Sequence, residues 1–236
     1  MSMRAIRVPR KGAFDTTRCV DSATAALFRA SGYYTCLRYI RTDKRVNDAP
    51  DPDPKAWLIS LSHQELAGLM EARMLVSPVQ IGTARNGHKA GHTYGSRKGE
   101  AAVYNCEALG FPKGITVWFQ AEWDEPHPST SRQIAHYNAL SKQLVDAGYE
   151  AGLYVSTGCR LDAQQLYREL PHVNHYWRAN AMTPEVAVRG YQLYQGFQCG
   201  GEVDGRPAGP PIHGLVIDQN LVHLDNKGHR FRVVGP

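Results

Sequence analysis

Apolar and polar positions along the chain fall into short blocks whose spacing switches between strand-like and helix-like. Tyr33–Ile40, Leu75–Ile81, Ile115–Asp124 and Tyr149–Ser156 are dense in β-branched and aromatic side chains, as strands buried on both faces are. Shorter runs at His175–Asn180, Gly190–Phe197 and Leu215–Asp218 extend the series, and Gly12–Asp15 opens it. Between these blocks the spacing predicts helices over 23–30, 62–73, 97–109, 129–147 and 161–170. Their ends are marked. Asp21-Ser22 precedes the first, Ser62-His63-Gln64-Glu65 has the form of a capping box, and Gly32, Gly110 and Gly148 stand where helices stop. Pro171 stops the last of them.

Strand and helix alternate about eight times with short connections and no break in composition, which implies parallel strands joined by helical crossovers in one domain over 1–236. A doubly wound open sheet is the competitor. Neither a Gly-x-Gly-x-x-Gly turn after the first strand nor a Gly-x-x-x-x-Gly-Lys loop is present to support it. The expected fold is therefore α/β, a TIM-like (β/α)8 barrel with a degenerate late crossover. A C-terminal β-hairpin is expected around Asp225-Asn226-Lys227-Gly228.

Composition changes this picture little. With 42% hydrophobic and 21% charged residues in 236, the chain is globular. No run approaches the ~18 apolar residues of a membrane span. Met1–Arg10 is basic without an apolar core behind it, so no secretion signal is recognised and synthesis in the cytoplasm is expected. Five scattered cysteines without a Cys-x-x-Cys pair read as reduced thiols. A net charge of +5 suits a polyanionic substrate without demanding one. The basic residues are dispersed and no recognition helix stands out, which argues against nucleic acid.

Candidate chemistry follows from the barrel, whose strand C-termini converge on one face. The residues collected there are Asp15, Arg38, Gln80, Glu122, Asp124, Tyr154, Trp177, Gln195 and Asp218. Glu122 and Asp124, two positions apart, point the same way, with Gln120 in line behind them. Carboxylates from three strands, with amides and aromatic rings between them, suit polysaccharide chemistry, where one carboxyl protonates the leaving oxygen and another supports the oxocarbenium-like transition state. Glu122 is the choice for general acid, with Trp118 and Trp123 as its apolar surroundings; Asp124 is the alternative. Asp15 and Asp218 are read as electrostatic stabilisers or orienters of substrate and water. The bland alternatives are a turn cap for Asp15 and a buried ion pair with Arg38 for Asp218. Arg38, Gln80, Tyr154, Trp177 and Gln195 are candidates for substrate binding, Arg38 equally as a structural partner of the acids. His88 and His92, in a glycine-rich loop with Arg85 and Lys89, read as solvated. No set has metal-ligand spacing, although His88, His92, Asp15 and Asp218 could meet in space, and no metal or cofactor is expected.

A family resemblance rests on Gly12-Ala13-Phe14-Asp15, Gly32-Tyr33, Arg38-Tyr39-Ile40 and the start of the helix over Leu61–Leu69. It continues through Glu107–Pro112 before Val117-Trp118-Phe119, then Gly148-Tyr149 with Gly152-Leu153-Tyr154. Leu193-Tyr194-Gln195 and Val216–Asn220 complete it. In this order the chain resembles glycoside-hydrolase-like barrel domains distantly similar to family 25 lysozyme-type hydrolases. The resemblance implies an eight-stranded barrel and hydrolysis of a glycan, of the cell-wall peptidoglycan kind. It matches Asp15, Glu122, Asp124 and Asp218 to the family's acidic cluster. The fourth-strand pair departs in order, being Glu122-x-Asp124 where relatives carry Asp-x-Glu or Asp-x-Asp. A wall substrate would require phage-type lysis, a dedicated export route or a delivery partner. The competing expectation is a carbohydrate-binding or interaction barrel without turnover.

Overall fold

The computed structural model describes residues 3–41, 60–80, 90–123, 126–180, 183–203 and 206–236. Strand β1 (Arg4–Arg7) precedes β2 (Gly12–Thr16). Five helix–strand units follow: α1 (Ser22–Ala30) and β3 (Tyr33–Ile40), α2 (His63–Glu71) and β4 (Leu75–Gln80), α3 (His92–Ala108) and β5 (Thr116–Ala121), α4 (Thr130–Asp146) and β6 (Glu150–Val155), α5 (Ala163–Arg168) and β7 (Val173–Arg178). No further helix occurs among the described residues; β8 (Leu193–Cys199), the short pair β9 (Glu202–Val203) and β10 (Arg206–Pro207), β11 (Ile217–Val222) and β12 (Arg232–Gly235) complete the chain. The degenerate late crossover lies here.

Helix starts are fixed by side chains that the sequence displays. Asp21 accepts from the Thr24 amide at 2.7 Å, and Asp162 and Gln165 form a reciprocal capping box on α5; such caps are each worth about 1 kcal/mol. Ser62 caps α2 by accepting from the Glu65 amide at 3.1 Å. The Glu65 carboxylate, expected to close the box, is engaged elsewhere. It accepts from Arg38 Nε at 2.6 Å and Nη2 at 3.0 Å, and from the Val20 amide at 2.9 Å.

The barrel strands run in the order β4-β3-β2-β11-β8-β7-β6-β5, and a β4–β5 pairing closes the ring. Neighbours from β2 through β8 are parallel, whereas β11 is antiparallel to both β2 and β8. Alternation along each strand separates two cores. Inward positions include Ala13, Leu37, Tyr39, Val79, Trp118, Tyr154, Trp177 and Leu193, while Phe14, Cys36, Ile40, Val76, Val117 and Phe119 pack outward against the helices. Arg38 and Gln80 share the outward parity of Cys36, Ile40 and Val76. Both are buried in the layer between sheet and helices, so the expectation that they help line the mouth is corrected.

Trp118 fills the barrel because its neighbour across β5–β6 is Gly152, where a Cβ would lie 2.4 Å from the indole. An aromatic column results: Tyr154 lies 4.5 Å from Trp177, Trp177 5.9 Å from Trp118, and Trp118 5.1 Å from Phe231 (ring centroids). Phe231 belongs to the terminal segment. A turn forms at Asp225–Gly228, where the C-terminal β-hairpin is expected, its Asp225 carboxylate accepting from the Lys227 and His229 amides at 3.0 and 2.7 Å, but β11 and β12 on either side of it do not pair with each other. The strand after it, β12, pairs with β1 along its length and touches β4 at Val234–Val76, so the ribbon joins the two chain ends under the barrel.

Candidate active site

The mouth of the barrel holds a cleft of about 870 Å³ whose lining includes Asp15, Tyr39, Gln120, Glu122, Tyr154, Gln195 and Asp218. Because β11 runs antiparallel, Asp218 sits near the start of its strand and still reaches the mouth. There it stands directly opposite Asp15 in the β2–β11 register. Like charges so placed repel. Burial, and then the Asp218 charge, push the Asp15 carboxyl up to about 7. Burial likewise raises Asp218, to about 6. The pair therefore holds a proton near neutral pH, as two carboxyls sharing a low-dielectric site do.

Neutral donors hold both acids in place. Tyr39 donates to Asp15 Oδ2 at 3.0 Å and Asn220 Nδ2 to Asp15 Oδ1 at 2.7 Å. Gln195 Nε2 donates to Asp218 Oδ2 at 3.0 Å, and its Oε1 accepts from the Tyr154 hydroxyl at 2.6 Å. Tyr154 is thereby the floor of the cleft and the top of the aromatic column. Its hydroxyl is pushed far up by burial and then by the charges of Glu122, Asp15 and Asp218, which surround it.

On the far wall, Trp118, Gln120 and Glu122 share a parity, so Gln120 and the half-buried Glu122 both line the cleft. The rings expected around Glu122 lie elsewhere. Trp118 is in the barrel interior, and Trp123 packs outward, its Nε1 donating to the Tyr137 hydroxyl at 2.6 Å. Trp177 is a support under Tyr154, 1% exposed, and not a platform open to a sugar. Asp124, Arg85, His88 and Lys89 lie outside the described residues, and His92 is the first residue of α3. Among the described residues no group of three or more His, Cys, Asp or Glu is arranged to hold a metal ion.

The structure adds residues that pattern reading misses. Tyr39 sits within a strand buried on both faces, where period-two alternation has no polar marker, and Asn220 lies on the partly exposed β11, where the run Asp218-Gln219-Asn220 does not single it out. In the sequence, Phe197 reads as an ordinary strand residue. Between the pairs Asp218–Gln198 and Asn220–Gln195, β8 carries an extra residue, a bulge of the kind found beside functional sites. Gly196, Phe197 and Gln198 all border the cleft there, and Phe197 is 77% exposed. An exposed ring at a polar cleft's rim is the signal that a sequence cannot show.

Three solved structures share this fold. An uncharacterised protein from B. stearothermophilus aligns with a TM-score of 0.58 at 17% identity, over 90% of this chain and 95% of that one. The Tat-secreted Mycobacterium tuberculosis protein Rv2525c aligns in its L-tartrate complex at 0.59 and 14%, over 91% and 96%. Its HEPES complex gives 0.58 at the same identity and coverage. A search of curated protein sequences gives no match. The profile of the Rv2525c-like, glycoside hydrolase-like domain matches residues 26–214, most of the barrel including the far wall and floor of the cleft. The chain belongs to the Rv2525c-like, glycoside hydrolase-like domain family.

Proposed function

We propose that this barrel hydrolyses a cell-wall polysaccharide of the peptidoglycan type, with the mouth carboxyls as its acid–base machinery. The observation that carries the reading is the Asp15–Asp218 pair, in register across β2–β11 and proton-retaining near neutral pH, at one side of a cleft that Glu122 enters from the other. Cleaving a glycosidic bond needs a proton delivered to the leaving oxygen and a negative group facing the developing oxocarbenium ion. The pair supplies the proton, through Asp218 as its more accessible member. Glu122 supplies the negative charge and orients water or attacks. Gln120, Gln195 and Asn180 offer amides to sugar hydroxyls, and Phe197 offers an apolar face at the rim. This shifts the acid from Glu122, the choice on sequence grounds, to the raised pair. A wall substrate also requires that the protein be exported or released by lysis.

The test is incubation of the purified protein with peptidoglycan, followed by assay of new reducing ends. Wild type is expected to release them, and Asp218→Asn and Glu122→Gln to reduce turnover by about 10²–10⁴-fold, the range for loss of a positioned acid or base. Both variants must keep the wild-type melting curve. Retained saccharide binding without any release of reducing ends would make the domain a carbohydrate-binding barrel instead. Full turnover in both variants would remove these residues from the mechanism.

A further inference from the structure

At the end of the barrel opposite the mouth, the terminal ribbon and the first residues of β6 and β7 enclose a second cavity of about 240 Å³. Its lining is Arg7, Glu150, Asn174, His175, Arg189, His229, Arg230 and Arg232, four arginines and two histidines against one carboxylate. Arg7 and Arg232 are direct partners in the β1–β12 register. Two guanidiniums so placed repel across the ribbon, and unlike a carboxyl pair they cannot relieve it by a change of protonation.

The one carboxylate of the cup does not cancel this excess. Glu150 already accepts from the Thr116 hydroxyl at 3.0 Å and lies 3.0 Å from His175 Nε2, with Arg232 Nε at 3.8 Å. Behind the wall, Asp225 is fully buried and lies 3.3 Å from Arg189 Nε. Counting both acids, four cations face two anions, and the cup keeps a surplus of positive charge.

Two of the arginines are also held in position. Arg189 Nη1 donates to Asn174 Oδ1 at 3.1 Å, and Arg230 Nη1 donates to the Val8 carbonyl at 3.2 Å. Guanidiniums fixed in this way lose less freedom on binding, and their forked donors match the oxygens of a tetrahedral anion. A cavity larger than one ion, bordered by these two and by the exposed facing pair Arg7 and Arg232, suits a multiply charged, phosphorylated ligand.

We propose that this basal cup is a binding site for a phosphoryl group, separate from the mouth and independent of the glycosidase reading. The group is either a free phosphate compound or a phosphodiester within an anionic polymer. Either source presents the same oxygens to the arginines.

Isothermal titration of the full chain with inorganic pyrophosphate, at about 0.15 M salt so that surface attraction is screened, tests the site. Saturable binding is expected, weakened at least about tenfold in Arg7→Gln/Arg232→Gln, the loss of roughly 1.4 kcal/mol per tenfold that two charge-assisted contacts can carry. Both side chains are exposed and on the ribbon edge, so a melting curve matching wild type is expected. Arg230→Gln provides a second, independent loss on the other side of the cup. Asp218→Asn should bind as wild type does. A parallel titration with a poly(glycerol phosphate) oligomer separates the sources: tighter binding per phosphate than pyrophosphate points to a polymer, weaker to a free compound. Absence of saturable binding to either probe, equal affinity for acetate, or unchanged affinity in both the double and Arg230→Gln variants overturns the proposal.

Discussion

At the mouth, Asp15 and Asp218 face each other across β2 and β11; at the base, Arg7 and Arg232 face each other across β1 and β12. Both are like-charge pairs in register on antiparallel strands, joined through the interior by the column Tyr154–Trp177–Trp118–Phe231. They answer the same repulsion differently. Asp15 is buried and titratable, so its pair keeps a proton and becomes an acid near neutral pH. The arginines are exposed and cannot deprotonate, so beyond the weak pairing of Arg232 with Glu150 at 3.8 Å they are relieved by solvent, salt or a bound anion. A repelling acid pair can therefore do chemistry, whereas a repelling arginine pair can only bind.

The sharpest control is a third charge arrangement that lies between the two ends. Arg38 and Glu65 are fully buried, opposite in sign and joined by two hydrogen bonds, with Arg38 Nη1 also donating to the Thr16 carbonyl at 2.8 Å. Here no charge is in surplus, so removing one partner strands the other. Glu65→Gln is expected to destabilise the fold by about 3–5 kcal/mol in urea unfolding. Residual folded protein should keep wild-type turnover per molecule, because the pair stands outside the barrel wall. A stable Glu65→Gln protein that loses turnover would place Arg38 in the catalytic site after all.

That result bears on what the sequence could disclose. Strand Tyr33–Ile40 is legible to the residue, because a β-branched and aromatic run between Gly32 and a polar, Asp- and Pro-rich stretch of sequence has one reading. Which of its side chains face inward was not legible. Buried on both faces, the strand shows no alternation, so the pattern singles out the charged Arg38 for the mouth, whereas the register turns Arg38 outward and Tyr39 inside. Gln80 failed for the same reason. Asp218 was placed at the mouth from the supposed end of a parallel strand. It is there because β11 is antiparallel and the acid lies near its start. The departure from regular alternation after β7 left a trace, the glycine- and proline-rich 199–211 segment, but composition does not state strand direction. The basal cup was invisible, since Arg7, Arg189, Arg230 and Arg232 come from both ends of the chain and one loop. Only the ribbon gathers them.

The acid pair predicts a pH dependence of definite sign. The folded pKa of Asp15 lies near 7, above its ordinary value of 3.8, so the folded state binds this proton more tightly than the unfolded chain. Stability is then greatest below the unfolded value and falls as pH rises from about 4 to about 7. Asp218, raised to about 6, contributes in the same direction. Asp15→Asn removes the ionisation that burial penalises. It should flatten the stability–pH curve over that window and gain about 2 kcal/mol at pH 8, less than the full shift because the substituted amide retains only part of the hydrogen bonding from Tyr39 and Asn220. Urea midpoints of wild type and variant at pH 5 and 8 measure this. A wild-type protein that becomes more stable between pH 5 and 8 by an amount that Asp15→Asn abolishes would show that the carboxyl is ionised at little cost, and the acid role would fall with it.

The arginine pair predicts the smallest effect, and its smallness is the point. In Arg232→Gln the repulsion with Arg7 is relieved, while the weak pairing with Glu150, at 3.8 Å and with the Arg232 side chain 44% exposed, is lost. Each is a contribution of a few tenths of a kcal/mol at low salt and less as salt rises. The melting temperature in phosphate-free buffer should therefore move by less than about 1 °C in either direction, given that 1 kcal/mol corresponds to about 2–4 °C for a domain of this size. Added pyrophosphate should separate the two proteins. A ligand that binds only the folded state stabilises by RT ln(1 + [L]/Kd), about 2.7 kcal/mol at a hundredfold excess over Kd, and wild type should rise accordingly while Arg232→Gln lags. Equal rises would mean that the ligand is held without the facing arginines, and the contrast between the two ends of the barrel would reduce to one of burial alone.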